Sequence, residues 1–430
     1  MNKRHVVIIG SGIAGLSASW HLKDHAKVTV LEKSDYLGGH THTHTLTINE
    51  ESLQLDSGFI VFNNRTYPGL REWFTALDVK THPADMSFSV SLDDGKFEWA
   101  GTNLRSIFAQ GKRVYDIKFL KMLRDIIRFN RNAPKYIAAS SANPGTLVTL
   151  GHYLDQHGYD SYFQTRYLLP MAGAIWSCPI TEIRNFPLKF FISFCENHGL
   201  LSVLNRPQWF SVKGGSRRYI EAMLTAIKKH DVAFKTEITA KSIIETSIGL
   251  EVVTEDQNKA QHRIACDDVI LASHADESAH ILKDFTTPFS QELSRIKFQQ
   301  NIAIIHEDKA LMPTETRAWA SWNYLSHTST EENSGVAVTY FMNKLQYLPT
   351  QKNLFVTLNP IKKPDPRKIY KSIDYTHPVM DLEREKAVQN IQNLQGGNHI
   401  WLAGAWMGNG FHESGYQSGR WAANKIIDTI

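Results

Sequence analysis

Short, unbroken apolar runs recur along the chain. His5-Val6-Val7-Ile8-Ile9 and Val28-Thr29-Val30-Leu31 lie near the start, Val232-Ala233-Phe234 and Asp268-Val269-Ile270-Leu271-Ala272 in the middle, and His399-Ile400-Trp401-Leu402-Ala403 near the end. Continuous β-branched stretches of this length predict strands buried on both faces, as in a parallel sheet. Further strands are expected around Ile238, over Val336-Ala337-Val338-Thr339-Tyr340 and over Phe355-Val356-Thr357-Leu358. A different period appears within 112–135, where Phe119, Leu120, Leu123, Ile126 and Ile127 return at helical spacing.

What separates these runs carries the chemistry. The first strand feeds into Gly10-Ser11-Gly12-Ile13-Ala14-Gly15, and a helix follows. Gly10 permits a tight turn, Gly12 lets a pyrophosphate approach the backbone, and Gly15 lets the helix pack closely on the strand. The phosphates then meet the free N–H groups and positive dipole of the helix start. Glu32, followed by Lys33, ends the second strand, where a carboxylate accepts both hydroxyls of an adenosine ribose and disfavours a 2′-phosphate. Strand, glycine turn, helix, strand and acid in this order predict a dinucleotide site.

The Gly38-Gly39 pair supplies a second close backbone approach, which points to FAD over NAD, and His40 and Thr41 follow as cofactor contacts. Near the other end, Gly404-Ala405-Trp406 leads into Gly408-Asn409-Gly410-Phe411-His412-Glu413-Ser414-Gly415 and a helix through Ala422-Ala423. A second glycine-rich loop at a helix start suits the flavin ring, whose N1/O2 edge gains negative charge on reduction.

Composition narrows the setting. The chain has 430 residues, 42% hydrophobic, with a net charge of +4 that demands no nucleic-acid partner. Cys178, Cys195 and Cys266 are scattered, without a CxxC pair, so neither a disulfide framework nor a dithiol centre is indicated and a cytoplasmic setting is expected. Lys3 and Arg4 before an apolar run mimic a signal peptide, yet cleavage would destroy the glycine motif. No apolar stretch is long enough to span a bilayer.

With these motifs in place, the chain resembles the FAD-dependent amine oxidase and phytoene desaturase superfamily. Within it, the chain is similar to bacterial FAD-binding oxidoreductases whose genes often lie near cyclopropane-fatty-acid-synthase-type methyltransferases. The segments carrying that likeness are Leu55 to Asn63, Ala174-Ile175-Trp176-Ser177, Lys213 to Arg217, Trp319 to Tyr324, Val356 to Pro360 and Gly410 to Glu413. The resemblance implies an α/β fold in which a Rossmann-like FAD-binding domain of the amine-oxidase type (1–75, 211–290 and 385–430) is interleaved with an α+β substrate domain (76–210 and 291–384). The substrate domain is expected to be helical in its first part and strand-rich in its second.

The resemblance also implies that Gly58, Phe59 and Ile60 pass beside the flavin, that Ile238 touches the adenine through its backbone, and that Ala272 ends a strand near the cofactor. Phe411 falls where many amine oxidases carry a tyrosine that walls the site. His412 falls beneath the flavin, as a proton-transfer residue or a structural contact. His40 stands where relatives often carry an arginine, which leaves the phosphate countercharge unassigned.

Other residues admit two readings. On a strand, His40, His42 and His44 would share one face, but adjacent side chains converge poorly on one ion and no metal site is expected. Asp56 is either a general base or a carboxylate bonding a turn. Trp176, Trp209, Trp319, Trp322 and Tyr340 suggest an aromatic cavity suited to an acyl chain, or ordinary core; Trp176 and Tyr340 are the candidates for the reacting site, with Phe411 and His412. The cationic face of 112–135 fits either an anionic bilayer or a solvated cap helix.

The expected activity is FAD-dependent hydride removal from an apolar, lipid or fatty-acyl substrate, with the flavin held non-covalently. The alternatives are an amine oxidase, a redox-neutral lipid double-bond isomerase, and a non-catalytic flavoprotein partner of a lipid methyltransferase.

Overall fold

A computed structural model describes residues 3–140, 148–176, 180–202, 206–247, 249–285, 287–327 and 337–430. The apolar runs assemble a five-stranded parallel sheet in the order Val232–Lys235, Lys27–Leu31, His5–Ile9, Asp268–Leu271, Ile400–Leu402. Alternate residues of the central strands serve opposite cores, which is why no polar position interrupts them. Val6 and Ile8 pack with Val28, Val30 and Ile270 against the helices Ile13–Leu22 and His412–Ile427. Val7 and Ile9 pack with Val269 and Leu271 under the antiparallel sheet Thr239–Thr246, Gly249–Glu255, Gln261–Cys266.

The helices Ile13–Leu22 and His412–Ile427 touch at backbone distance. A Cβ on Gly419 would lie 2.0 Å from the Ala14 carbonyl oxygen, and one on Gly415 would lie 2.5 Å from the Ile13 side chain. Gly15 is equally constrained, 2.0 Å from the Gly10 carbonyl. These glycines fix how closely the two ends of the chain can lie.

A seven-stranded sheet runs Ile369–Pro378, Phe298–His306, Phe355–Leu358, Ala337–Phe341, Trp322–Ser326, Phe88–Leu92, Phe97–Ala100. All its pairings are antiparallel except that between Trp322–Ser326 and Phe88–Leu92. The stretch 76–210, expected to be helical, therefore also contributes strands, among them Thr81–Ala84, which pairs with Trp209–Val212. Val336, Ser177 and Cys178 lie outside the described residues.

Two local expectations change. The last parallel strand ends at Leu402, because Gly404 to Met407 turn away, and the terminal helix runs on to Ile427. His40 and His42 precede the strand Thr43–Ile48, so the three histidines do not share one face. His42 and His44 still meet, with ring centroids 4.1 Å apart, while His40 turns towards Tyr375 and His377.

The glycine contact gives a direct test. Gly419→Ala gains up to about 1 kcal/mol of helix propensity but forces a methyl onto a backbone carbonyl, for which overpacking costs about 1–3 kcal/mol. The variant should therefore unfold at lower urea than the parent. Gly111→Ala, where a Cβ meets nothing within 4 Å, should leave the midpoint in place.

Candidate cofactor and substrate site

A cavity of about 910 Å³ begins at the first glycine loop and ends among aromatic side chains. Gly10, with φ +104°, makes the turn, and a Cβ there would lie 2.8 Å from the Ala272 carbonyl oxygen. Above Gly12 the space is open: a Cβ would meet nothing within 4 Å. Gly39, with φ +55°, closes on Gly12 Cα, to which its Cβ would come within 3.2 Å. Ser11, Ile13 and Ala14 complete this wall. Glu32 accepts from the Ser11 N–H (3.0 Å) and hydroxyl (2.6 Å) and from the Ser34 N–H (2.8 Å), while Ile238 N–H donates to the Glu32 carbonyl (2.9 Å).

Three expected contacts stand behind the wall instead. Gly15 packs under Gly10, and Gly38 is covered by Ile220 and Thr41. The Thr41 hydroxyl is occupied by Tyr219 Oη (2.5 Å) and His412 Nε2 (2.9 Å). Their physical role is to shape the loop from inside the core.

The C-terminal loop forms the opposite wall through Gly404, Ala405, Gly410, Phe411 and His412, with Gly58, Phe59 and Ile60 beside it. Gly404 N–H donates to Ser418 Oγ (2.9 Å) and Gly410 N–H to the Ala405 carbonyl (3.0 Å). Buried Arg384 ties the loop down, donating to the Trp406 carbonyl from Nε (2.9 Å) and Nη2 (2.6 Å) and also to the Gly408 carbonyl. His412 is stacked on Phe59 at 3.7 Å and 6°, with Nε2 between the Thr41 and Tyr219 hydroxyls. Burial lowers its pKa to about 3. The imidazole is neutral at working pH, stacked on Phe59 and held at Nε2, which favours the structural reading over proton transfer.

His40 also lacks charge, because burial and neighbouring histidines push its pKa well down. Its Nε2 is buried without a partner, and the ring lies 5.0 Å from Tyr375, 5.4 Å from His377 and 6.0 Å from His274. Lys33 pairs with Glu277. A pyrophosphate here would therefore be met by backbone N–H groups and the start of Ile13–Leu22, not by an arginine. The open space at Gly12 and the orphaned imidazole nitrogen at His40 both fit FAD.

Asp56 is excluded from the reacting site. It is fully buried away from the cavity, accepting from Thr43 Oγ1 (2.5 Å), Ser216 N–H (2.9 Å), Ser216 Oγ (2.9 Å) and Gln346 Nε2 (2.5 Å). Burial raises its pKa to about 6. It joins the hairpin Thr43–Ile48 and Glu51–Asp56 to the start of Arg217–Ile227.

Trp176, Tyr340, Trp209 and Trp322 line the cavity's aromatic end. Trp319 does not; it packs on Phe341 and Phe355 and donates to the Pro313 carbonyl. Trp322 and Tyr340 meet edge to face at 5.0 Å, and Trp176 lies 4.6 Å from Phe194. The Nε1 atoms of Trp176 and Trp322 are buried without partners. Sequence reasoning missed Phe194 and His198, which meet Phe411 at 5.1 and 5.8 Å. Their spacing of four along Leu188–Asn197 and the residue that follows it was the available signal. Arg384, Tyr375 and His377 carried no local signal.

The model of the flavin-containing amine oxidoreductase family matches residues 13–358. The chain belongs to this family. It is 42% identical to an FAD-dependent oxidoreductase of Emericella nidulans over 88 residues, 20% of this chain and 18% of that protein. It is 23% identical to an L-amino-acid oxidase of Siganus canaliculatus over 331 residues, 73% of this chain and 58% of the relative. The chain thus spans less than a fifth of the first relative and under two thirds of the second. Cyclohexylamine oxidase from Brevibacterium oxydans shares the fold, with TM-score 0.65, 15% identity and 99% of each chain covered. So does a CLA-producing fatty acid isomerase from P. acnes, with TM-score 0.65, 14% identity and 98% of each chain covered.

Family membership and the glycine-lined cavity together fit a flavin cofactor, FAD. The flavin, when bound, accepts hydride or electrons. Backbone N–H groups at the start of Ile13–Leu22 would hold its phosphates, and Phe411 and His412 stand at the start of the second helix on the opposite wall.

Two outcomes are expected. Gly12→Ala should retain the parent's unfolding midpoint, since the methyl meets no protein atom, yet bind FAD at least tenfold more weakly because the methyl occupies the phosphate's approach; flavin absorbance after gel filtration measures both pools. Acidification should destabilise the fold. His44 and His412 titrate near about 3, and His198 and His306 near about 4, all lowered by burial. Below the unfolded pKa of about 6.5 the unfolded chain takes up protons that the native chain refuses, so stability is intact above that pH and is lost as pH falls towards 4. Asp56 acts in the opposite sense between about 4 and 6, but one carboxylate opposes four imidazoles. Urea unfolding across pH 4–8 should show a loss exceeding about 1 kcal/mol per pH unit below pH 6.

Proposed function

We propose that the protein removes hydride from an apolar, lipid-type substrate carrying one uncharged or acidic polar group. The observation that carries this reading is the distribution of charge around the cavity. Glu32, Lys33, Asp276 and Glu277 gather beside the first glycine loop, and Asp374 is exposed on the strand Ile369–Pro378. The aromatic end, among the described residues, offers Trp176, Phe194, Trp209, Trp322, Tyr340 and Phe411, and its one histidine there, His198, is held neutral with a pKa lowered to about 4. Such a chamber favours hydrocarbon and penalises a cationic ammonium that has no carboxylate to pair with.

The polar atoms there are mainly donors. Trp176 Nε1 and Trp322 Nε1 lack partners, and the Tyr340 hydroxyl has none among the described residues. An acceptor on the substrate, such as a carbonyl or carboxyl oxygen, would satisfy them. Phe411 keeps an aromatic wall without a phenol. The fold likeness to a fatty acid isomerase keeps a redox-neutral lipid reaction as the second reading. The likeness to cyclohexylamine oxidase makes neutral amines the third class to test.

Anaerobic mixing of the FAD-loaded protein with fatty acids, acyl esters and primary amines tests the three. Bleaching of the flavin band by lipids supports oxidation, product without net bleaching supports isomerisation, and bleaching by amines alone overturns the lipid reading. If neither class reacts, the accessory role beside a lipid methyltransferase becomes the working account. Tyr340→Phe should raise KM for a carbonyl-bearing lipid about tenfold, the worth of one hydrogen bond, with flavin content unchanged.

A further inference from the structure

The helix Ile117–Ser140 packs one side into the core and leaves apolar as well as cationic side chains exposed on the other. Its inner side inserts Phe119, Met122, Phe129 and Ala133 into the core, and Asp125 is buried with them. Of the apolar stripe read from the sequence, Leu120 and Ile127 point the other way and remain exposed, joined by Ile117. Ile117, Leu120, Arg124, Ile127 and Arg131 recur every three or four residues, so they share one outward face.

Exposed apolar side chains also stand in the turns that precede the helix. Leu104 is 74% exposed, Tyr115 87%, Ile117 81% and Ile127 64%, with Val114 also exposed. Among the described residues, most of the large apolar side chains left in solvent fall in 104–127. Isolated exposed leucines are ordinary; this clustering is not.

The charges between these side chains are almost all positive. Arg105, Lys112, Lys118, Lys121, Arg124, Arg131 and Lys135 are exposed. The acids along this helix are matched: Asp116 pairs with Arg113 at 2.7 Å, Asp160 with Lys121 at 2.7 Å, and buried Asp125 lies 3.4 Å from Arg128 and 3.6 Å from Arg124, whose side chain stays exposed. A protein-binding surface concentrates apolar area in a core depleted of lysine. Aliphatic and tyrosine side chains interleaved with lysine and arginine are instead the composition of a helix lying in the headgroup region.

We propose that residues 104–131 seat the protein on an anionic lipid bilayer, with Leu104, Tyr115, Ile117 and Ile127 entering the headgroup boundary and the lysines and arginines facing lipid phosphates. None of these residues lines the cavity, so the proposal stands independently of the substrate. It requires no spanning segment, and among the described residues no helix is long and apolar enough to cross a membrane.

The test is co-sedimentation of the FAD-loaded protein with vesicles of phosphatidylcholine alone and of phosphatidylcholine mixed with anionic phosphatidylglycerol. Binding to the anionic vesicles is expected to be at least tenfold tighter and to weaken with salt. Lys118→Gln/Arg124→Gln/Arg131→Gln should reduce it at least tenfold, as should Leu104→Ser/Ile117→Ser/Ile127→Ser, which leaves the charge unaltered. All six positions are solvent-exposed, so flavin content and unfolding midpoint should match the parent and report any folding defect. Equal binding to both vesicle types, no binding to either, or full binding by either triple variant overturns the proposal. Loss in the charge variant alone would mean electrostatic adsorption without insertion and overturns it as well.

Discussion

The close crossing of Ile13–Leu22 and His412–Ile427 is the contact on which the site depends. Each helix begins at one of the two glycine-rich loops, so the separation of the loops is set where the helices meet, at Gly415 and Gly419. Side chains at those positions would push the helices apart by roughly the thickness of a methyl group, and the cavity walls would part with them. The sheet enforces the same geometry from below. Ile400–Leu402 can deliver the second loop only because it pairs with Asp268–Leu271, which in turn pairs with His5–Ile9.

Polarity along the cavity follows a division of labour. At the first loop, backbone N–H groups and a helix start face the place of the phosphates, and Lys33 is engaged with Glu277. Between the loops lie imidazoles made neutral by burial, His40, His377 and His412. At the far end hydrocarbon and indole dominate. A bound cofactor's charge would therefore be met by fixed dipoles, which need no reorganisation when that charge changes. Asp56 supports this arrangement at a distance by holding the hairpin that follows His40 against Arg217–Ile227.

Much of this was legible in the residues because it is local. A strand buried on both faces must be apolar throughout, and a backbone that meets phosphate must lack side chains; Val6 to Gly15 and Gly404 to Gly415 obey both demands within a few positions. The extent of the sheet was readable for the same reason. What was not legible depends on partners far along the chain. The fate of the Thr41 hydroxyl is decided by Tyr219 and His412, that of Asp56 by Ser216 and Gln346. His40 left the strand because its loop bends around Gly39, which a periodicity of two cannot show. The helix Ile117–Ser140 is legible as amphipathic, but Leu120 and Ile127 read as inward residues by type alone, and only the packing of Phe119, Met122 and Phe129 shows which side faces the core.

The two walls of the cavity come from loops far apart in the sequence, held together by the parallel sheet between them. A ligand that touches both walls would bind the assembled sheet and neither loop alone, so its binding energy would add to the stability of the whole sheet and its helices.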